Sequence, residues 1–190
     1  CHIQGIRKAE LVNKKLKEKI VLHIGLFCSH TDSFLQTKFL LNKFGIKEQE
    51  IVRIDYRGEG WPGMMSVLLK NGKKISIPYA KSIAPHNMWV YPLSRCALCY
   101  DFSAEFADVS CGDAWLPEVK SCEKIGKSIV ITRTETGKML CTSALKSKHI
   151  IMEKISHSTI ERWKHSTQAK IRRIKVVFFL RKMFRKDIPN

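Results

Sequence analysis

The chain has 190 residues, 44% of them hydrophobic and 27% charged, a composition that supports a buried core and excludes a wholly disordered chain. Lysine and arginine number 34 against 17 acidic residues, a formal charge of +17 that favours an anionic partner: nucleic acid, an acidic membrane or a phosphate-bearing cofactor. Seven cysteines, an odd count in a chain long enough to build its own core, do not fit a secreted disulfide scaffold.

Taken in chain order, Ile3, Ile6, Leu11, Val12 and Leu16 recur at near-helical spacing and predict a helix over residues 3–18. The apolar run Ile20–Phe27, ended by Cys28-Ser29-His30, reads as a buried strand. Asp32 or Ser33 caps a helix to Phe44 that Gly45 stops, and Glu50–Tyr56 reads as a strand. Helix, strand, helix, strand predicts an α/β layer with a parallel pair. The loop Arg57–Gly63 follows, then a hairpin of Met64–Leu69 and Lys74–Ile77 about Asn71-Gly72. Residues 80–107 are irregular. Strands are expected at Val109 and Ser128–Thr132, a helix at Thr136–Lys146, and a short strand at His149–Glu153. From Ser158 a basic helix is expected to run to near Pro189. The fold class predicted is α/β: a mixed or mostly parallel sheet flanked by helices, with an irregular cysteine-bearing insertion and a basic C-terminal helix. Residues 1–157 are assigned to one domain and 158–190 to a helical tail. No signal peptide opens the chain, and the apolar run Val176–Leu180 is far short of the roughly 20 residues of a membrane span. The expectation is a cytoplasmic, reduced protein. Its first residue is Cys1 rather than Met, so the chain reads as an excised piece with sequence upstream.

Cys96-Ala97-Leu98-Cys99 is a CxxC. Two intervening residues let both sulfurs face one point while freed amides turn toward them, which suits zinc or an iron–sulfur cluster. A structural zinc site commonly supplies a second close pair, and the other cysteines are widely separated. An iron–sulfur cluster accepts thiolates from remote loops, and Cys1 and Cys28 fall at loop positions. A thiol redox pair is the third alternative, though no strand precedes the CxxC as a thioredoxin-like motif requires. Cys141, beside Leu140 and Leu145, reads as a small core residue. Cys122 is read likewise, and Cys111 as core or near-site. His2, His23, His30 and His86 form no pair at metal spacing in the sequence. There is no nucleophile elbow, so hydrolase chemistry finds no support.

Several stretches agree in order with one family: Cys1–Lys8, Gly25–Cys28, Tyr56–Gly63, Arg95–Cys99 and Ala107–Trp115. Over residues 1–155 the chain resembles the beta subunit family of coenzyme F420-reducing hydrogenases and F420-dependent dehydrogenases. The resemblance implies FAD, a 4Fe-4S cluster, and electron or hydride exchange with coenzyme F420 or a related deazaflavin-like acceptor. It implies Cys1, Cys28, Cys96 and Cys99 as cluster ligands, and other subunits or domains of a redox complex as partners, whether ferredoxin-like or hydrogenase/dehydrogenase subunits. The residues give the flavin a physical basis too. The glycines Gly58, Gly60 and Gly63 allow close backbone approach, and loop amides bind anions. Arg57 offers charge for a phosphate and Trp61 a flat surface for a ring. The alternative is a glycine-rich hairpin with a packed tryptophan. Asp113 is counted with the cofactor residues, although it and Asp108 also read as strand-end turn residues. Arg7 and Lys8 face a diphosphate or solvent.

A reading from a different class is a zinc-stabilised binding domain whose basic surface serves nucleic acid or an acidic partner. Residues 161–190 carry ten lysines and arginines against two acids, interleaved with Trp163, Phe178, Phe179 and Phe184. That composition suits an anionic membrane surface or a partner subunit. No RNA-binding signature or zinc-finger spacing supports nucleic acid.

Overall fold

The computed structural model describes the backbone of residues 1–184 and the side chains of 1–156 and 168–184. Its elements in chain order are α1 (His2–Val12), α2 (Lys14–Lys19), β1 (Ile24–Leu26), α3 (Phe34–Lys43), β2 (Ile51–Asp55), β3 (Met64–Leu69), β4 (Lys74–Pro78), α4 (Tyr79–Ser82), α5 (Ala84–Asn87), β5 (Val109–Asp113), α6 (Pro117–Cys122), β6 (Ser128–Thr132), α7 (Glu135–Lys146) and α8 (His157–Met183). Short 3-10 turns lie at Glu48–Glu50 and Ser94–Leu98. The class is α/β, as expected. The strands divide into two three-stranded sheets, β1-β5-β6 and β2-β3-β4, and the chain into two compact units.

The meander unit comprises residues 30–96 and 113–127. Its sheet is antiparallel throughout, with β3 central. Met65, Val67 and Leu69 alternate along β3, so all three side chains leave one face. They are almost fully buried with Leu40 and Leu41 of α3, Ile46 and Ile77. Ser33 occupies the N-cap position of α3. Beyond its end Gly45 takes a left-handed φ of 67°, as the sequence reading required. The turn between β3 and β4 is longer than a two-residue hairpin, because residues 70–73 all lie outside the strands. There the Asn71 side chain accepts a hydrogen bond from Lys73 N at 3.0 Å.

The parallel-pair unit comprises residues 1–29, 97–112 and 128–190. Here β1 pairs in parallel with β5, Ile24 opposite Val109 and Leu26 opposite Cys111. The expected parallel pair thus exists, but its second strand is β5; β2 belongs to the other sheet. The helix expected over residues 3–18 is two helices, because Asn13 leaves α-helical backbone and caps α2, its side chain accepting from Leu16 N at 3.1 Å. Residues 149–153 form no strand, and α6, opened by Pro117, was not foreseen. Helix α8 falls within the parallel-pair unit, and its Lys170 and Ile174 are 5% and 6% exposed. The expected end near Pro189 lies outside the described residues. Among the described residues no helix is long and apolar enough to cross a membrane.

Candidate functional site

In the meander unit the loop after β2 folds on itself. Met64 N donates to Gly58 O at 2.8 Å and Trp61 N to Lys124 O at 2.7 Å. Gly63 has a φ of 84°, and a side chain there would lie 2.3 Å from Gly58 O and 2.7 Å from Gly60 O, so only glycine closes this loop. Gly60, with a φ of 95°, also takes left-handed backbone. The closed loop presents Arg57 and Trp61 to Asp113, which the sequence reading singled out, and to Tyr79 and Trp115, which it did not assign to the site. The Arg57 guanidinium donates to Asp113 Oδ2 at 2.5 Å and to Pro62 O at 3.3 Å. It also lies 5.1 Å from the Tyr79 ring centroid and 5.6 Å from that of Trp115. Trp115 stacks on Tyr79 at 5.5 Å and packs against Trp61 at 4.9 Å. Lys120 Nζ lies 5.4 Å from the Trp115 ring.

Two cations and one carboxylate therefore surround three aromatic rings, which leaves the cluster net positive. Cation–π contacts of this kind contribute about 0.5–1 kcal/mol each at exposed sites. Burial raises the pKa of Tyr79, with Arg57 opposing and Asp113 reinforcing the rise, so its hydroxyl is protonated at neutral pH. The buried indole N–H of Trp61 meets no acceptor among the described residues. Flat rings, surplus positive charge and an unused donor suit a planar anionic group such as a flavin nucleotide. The structure thus brings together Arg57, Gly58, Gly60, Trp61, Gly63 and Asp113, and adds Tyr79, Trp115 and Lys120. Of these additions only Trp115, the last residue of the Ala107–Trp115 stretch, lay in a motif legible in the sequence.

None of the seven cysteines is in a disulfide. Cys1 is the exposed N-cap of α1. Cys28 lies two residues past β1, exposed, with its amide donating to Phe102 O at 2.8 Å. Cys96, in the 3-10 turn, accepts a hydrogen bond from Thr31 N at 3.3 Å. A backbone N–H directed at a sulfur stabilises thiolate charge. Cys99 Sγ lies 3.6 Å from Asp101 O. Four unbridged thiols on loops form a soft donor set that suits an iron–sulfur cluster. The other three stand apart by position: Cys122 is exposed at the end of α6, and Cys141 is half-buried on α7. Cys111 lies within β5, its thiol pKa raised by burial and by neighbouring Cys141.

Two polar clusters were missed in the sequence because their members are distant along the chain. In the meander unit Asp32 bridges two histidines, with Oδ1 3.1 Å from His30 Nε2 and Oδ2 2.6 Å from His86 Nδ1. The imidazoles stack 3.8 Å apart at 10°. The ligand atoms of His30, Asp32 and His86 all lie within 4.8 Å of one another, and the donor types are ones a metal ion accepts. In the parallel-pair unit Asp108 accepts from His23 N and Thr134 Oγ1, each at 2.8 Å, and from Arg7 Nη2 at 3.3 Å. Burial alone would raise its pKa, but the bonds from His23, Thr134 and Arg7 outweigh that and lower it. His23 Nε2 lies 3.0 Å from Glu10 Oε1. Arg7 is therefore committed to Asp108, Glu10 and Phe106 O, not directed at a diphosphate, whereas Lys8 remains exposed.

Comparison with known proteins identifies the family and the fold. Residues 1–158 match the family described as the C terminus of the beta subunit of coenzyme F420 hydrogenase/dehydrogenase. The coenzyme F420 hydrogenase subunit beta of Methanothermobacter thermautotrophicus is 28% identical over 153 residues, covering 77% of this chain and 47% of that protein. A subunit of the F(420)H(2) dehydrogenase of Methanosarcina mazei is 32% identical over 133 residues, covering 68% of this chain and 33% of that protein. The chain thus spans between about a third and a half of the length of these relatives. A chain of the F420-reducing NiFe hydrogenase complex from Methanosarcina barkeri shares the fold, with a TM-score of 0.66 over 100% of this chain and 62% of that one at 20% identity. On the match over residues 1–158, the chain belongs to the family of C-terminal regions of coenzyme F420 hydrogenase/dehydrogenase beta subunits.

Proposed function

We propose that the chain is the electron-transfer module of an F420-dependent oxidoreductase, with a 4Fe-4S cluster on Cys1, Cys28, Cys96 and Cys99 and FAD at the cluster of Arg57, Trp61 and Asp113. The observation that carries the reading is the pair of chemically distinct sites in one family member: thiols outside any disulfide, one of them accepting an N–H bond, and a net-positive aromatic cluster. When bound, the iron–sulfur centre exchanges single electrons and the flavin couples them to a two-electron or hydride step with coenzyme F420 or a related acceptor.

The chain's own residues bind and orient. Thr31 N supports the Cys96 sulfur. Asp113 fixes the guanidinium of Arg57 over the rings, and Trp61 supplies a face and a donor. The Gly58–Gly63 backbone holds Arg57 and Trp61 in place without a side chain in the way. Partners in this reading are further subunits or domains of a cytoplasmic redox complex. The exposed basic residues of α8, Arg172, Arg173 and Lys175 among them, supply charge for an acidic subunit or an anionic membrane surface. Cysteine substitution tests the reading. Cys96→Ser or Cys99→Ser is expected to abolish iron binding in anaerobically reconstituted protein, and Cys141→Ser to leave it intact. Full iron in the Cys96/Cys99 double variant would remove the cluster from this function.

A further inference from the structure

Lys170 is an unusual residue for a helix as basic and exposed as α8. It is 5% exposed, and its ammonium donates to Cys28 O at 2.9 Å and to Asp101 O at 2.6 Å. Asp101 is itself buried, and its carbonyl is also the group beside Cys99 Sγ, at 3.6 Å. The Asp101 carboxylate is turned elsewhere, accepting from Glu105 N at 3.2 Å. Among the described residues no carboxylate pairs with Lys170.

Two carbonyl dipoles solvate an ammonium but do not cancel its charge, and a buried charge without a counter-ion is strongly disfavoured. A compensating anion is therefore required nearby. The two segments Lys170 holds carry the Asp101 carboxylate, which is bound to Glu105 N rather than to the ammonium, and two thiols that become anionic, those of Cys28 and Cys99.

We propose that Lys170 is the counter-cation and positioning residue of the thiolate-held centre, fixing the Cys28 and Cys99 loops and raising the centre's reduction potential. The inference rests on the cluster reading above. A fixed positive charge stabilises the more negative, reduced state of such a centre more than its oxidised state. It gives α8 a function within the redox unit that its composition alone, a charged surface helix, does not suggest.

The test uses the full chain, reconstituted anaerobically with iron and sulfide, and reads both iron per chain and the midpoint potential from an EPR-monitored redox titration. Lys170→Gln keeps donors but removes the charge, Lys170→Arg keeps both, and Lys175→Met removes an exposed charge from the same helix. The expected result is full iron with a midpoint shifted to more negative values in K170Q. Wild-type values are expected in K170R and K175M. A K170Q midpoint equal to that of K175M would overturn the proposal while leaving the cluster intact. If K170Q holds no iron, K170R decides: restored iron and potential support the role, and their absence overturns it. A wild-type chain that binds no iron removes the cluster reading, and this inference with it.

Discussion

Asp108 shows how one carboxylate ties together segments that are far apart in sequence. It joins α1 through Arg7, the approach to β1 through His23, and the start of α7 through Thr134, whose hydroxyl donates to Asp108 Oδ1 and accepts from Gly137 N. Its folded pKa lies below the usual carboxylate value, so its ionisation contributes stability above the unfolded pKa. That contribution is lost as pH falls through the lowered folded value. Asp108→Asn is expected to cost about 1–3 kcal/mol near neutral pH, the range for stranding buried donors. The difference from wild type should narrow in acid, as urea titrations at several pH values would show. A constant difference across the acid range would mean that the charge contributes nothing. At the aromatic cluster, Arg57→Met removes the guanidinium from Tyr79, Trp115 and Asp113 together. FAD affinity, read by quenching of tryptophan fluorescence, is expected to fall at least about tenfold, equivalent to about 1.4 kcal/mol. Unchanged affinity would place the flavin elsewhere.

At the scale of elements, alternation and turn chemistry were legible wherever neighbours in sequence are neighbours in space. The hairpin of β3 and β4, the Gly45 stop after α3 and the helix α7 follow local rules and stand within a residue or two of their expected bounds. What local rules do not reach is strand partnership. Ile20–Phe27 and Glu50–Tyr56 both read as strands, but β1 finds its parallel partner at β5, more than eighty residues on. The apolar run before Cys28 yields only three strand residues because it pairs along a short register, Ile24 to Leu26. The candidate site divides in the same way. Arg57, Trp61 and the glycines were legible as a loop motif, whereas Tyr79, Trp115, Lys120 and Lys170 enter through tertiary contacts that no spacing announces. Two substitutions test the packing. Met65→Ala, in the cluster of α3 and the meander sheet, should destabilise by about 2–5 kcal/mol. Gly137→Ala should also destabilise, because a side chain there would sit 2.3 Å from Asp108 O. Thermal melts of both variants measure this, and wild-type stability in either would contradict the packing described.

At the scale of the whole molecule, the strands divide into two sheets. The aromatic and cationic cluster lies in the meander unit, its residues drawn from the loop after β2, the start of α4, residues 113–115 and α6. Cys28 follows the edge strand of the parallel-pair sheet, where its carbonyl is held by a lysine from the last helix. Much of the net charge of +17 is spread over exposed lysines, and a smaller part is spent at Arg57, Lys120 and Lys170, where it faces rings and carbonyls. The central claim is that Cys1, Cys28, Cys96 and Cys99 carry an iron–sulfur centre. It is tested most directly by metal and sulfide analysis of anaerobically reconstituted wild-type chain, with EPR of the reduced sample. The account predicts brown protein with about four iron and four sulfide per chain and a reduced-state signal; a colourless chain holding zinc in their place would contradict it.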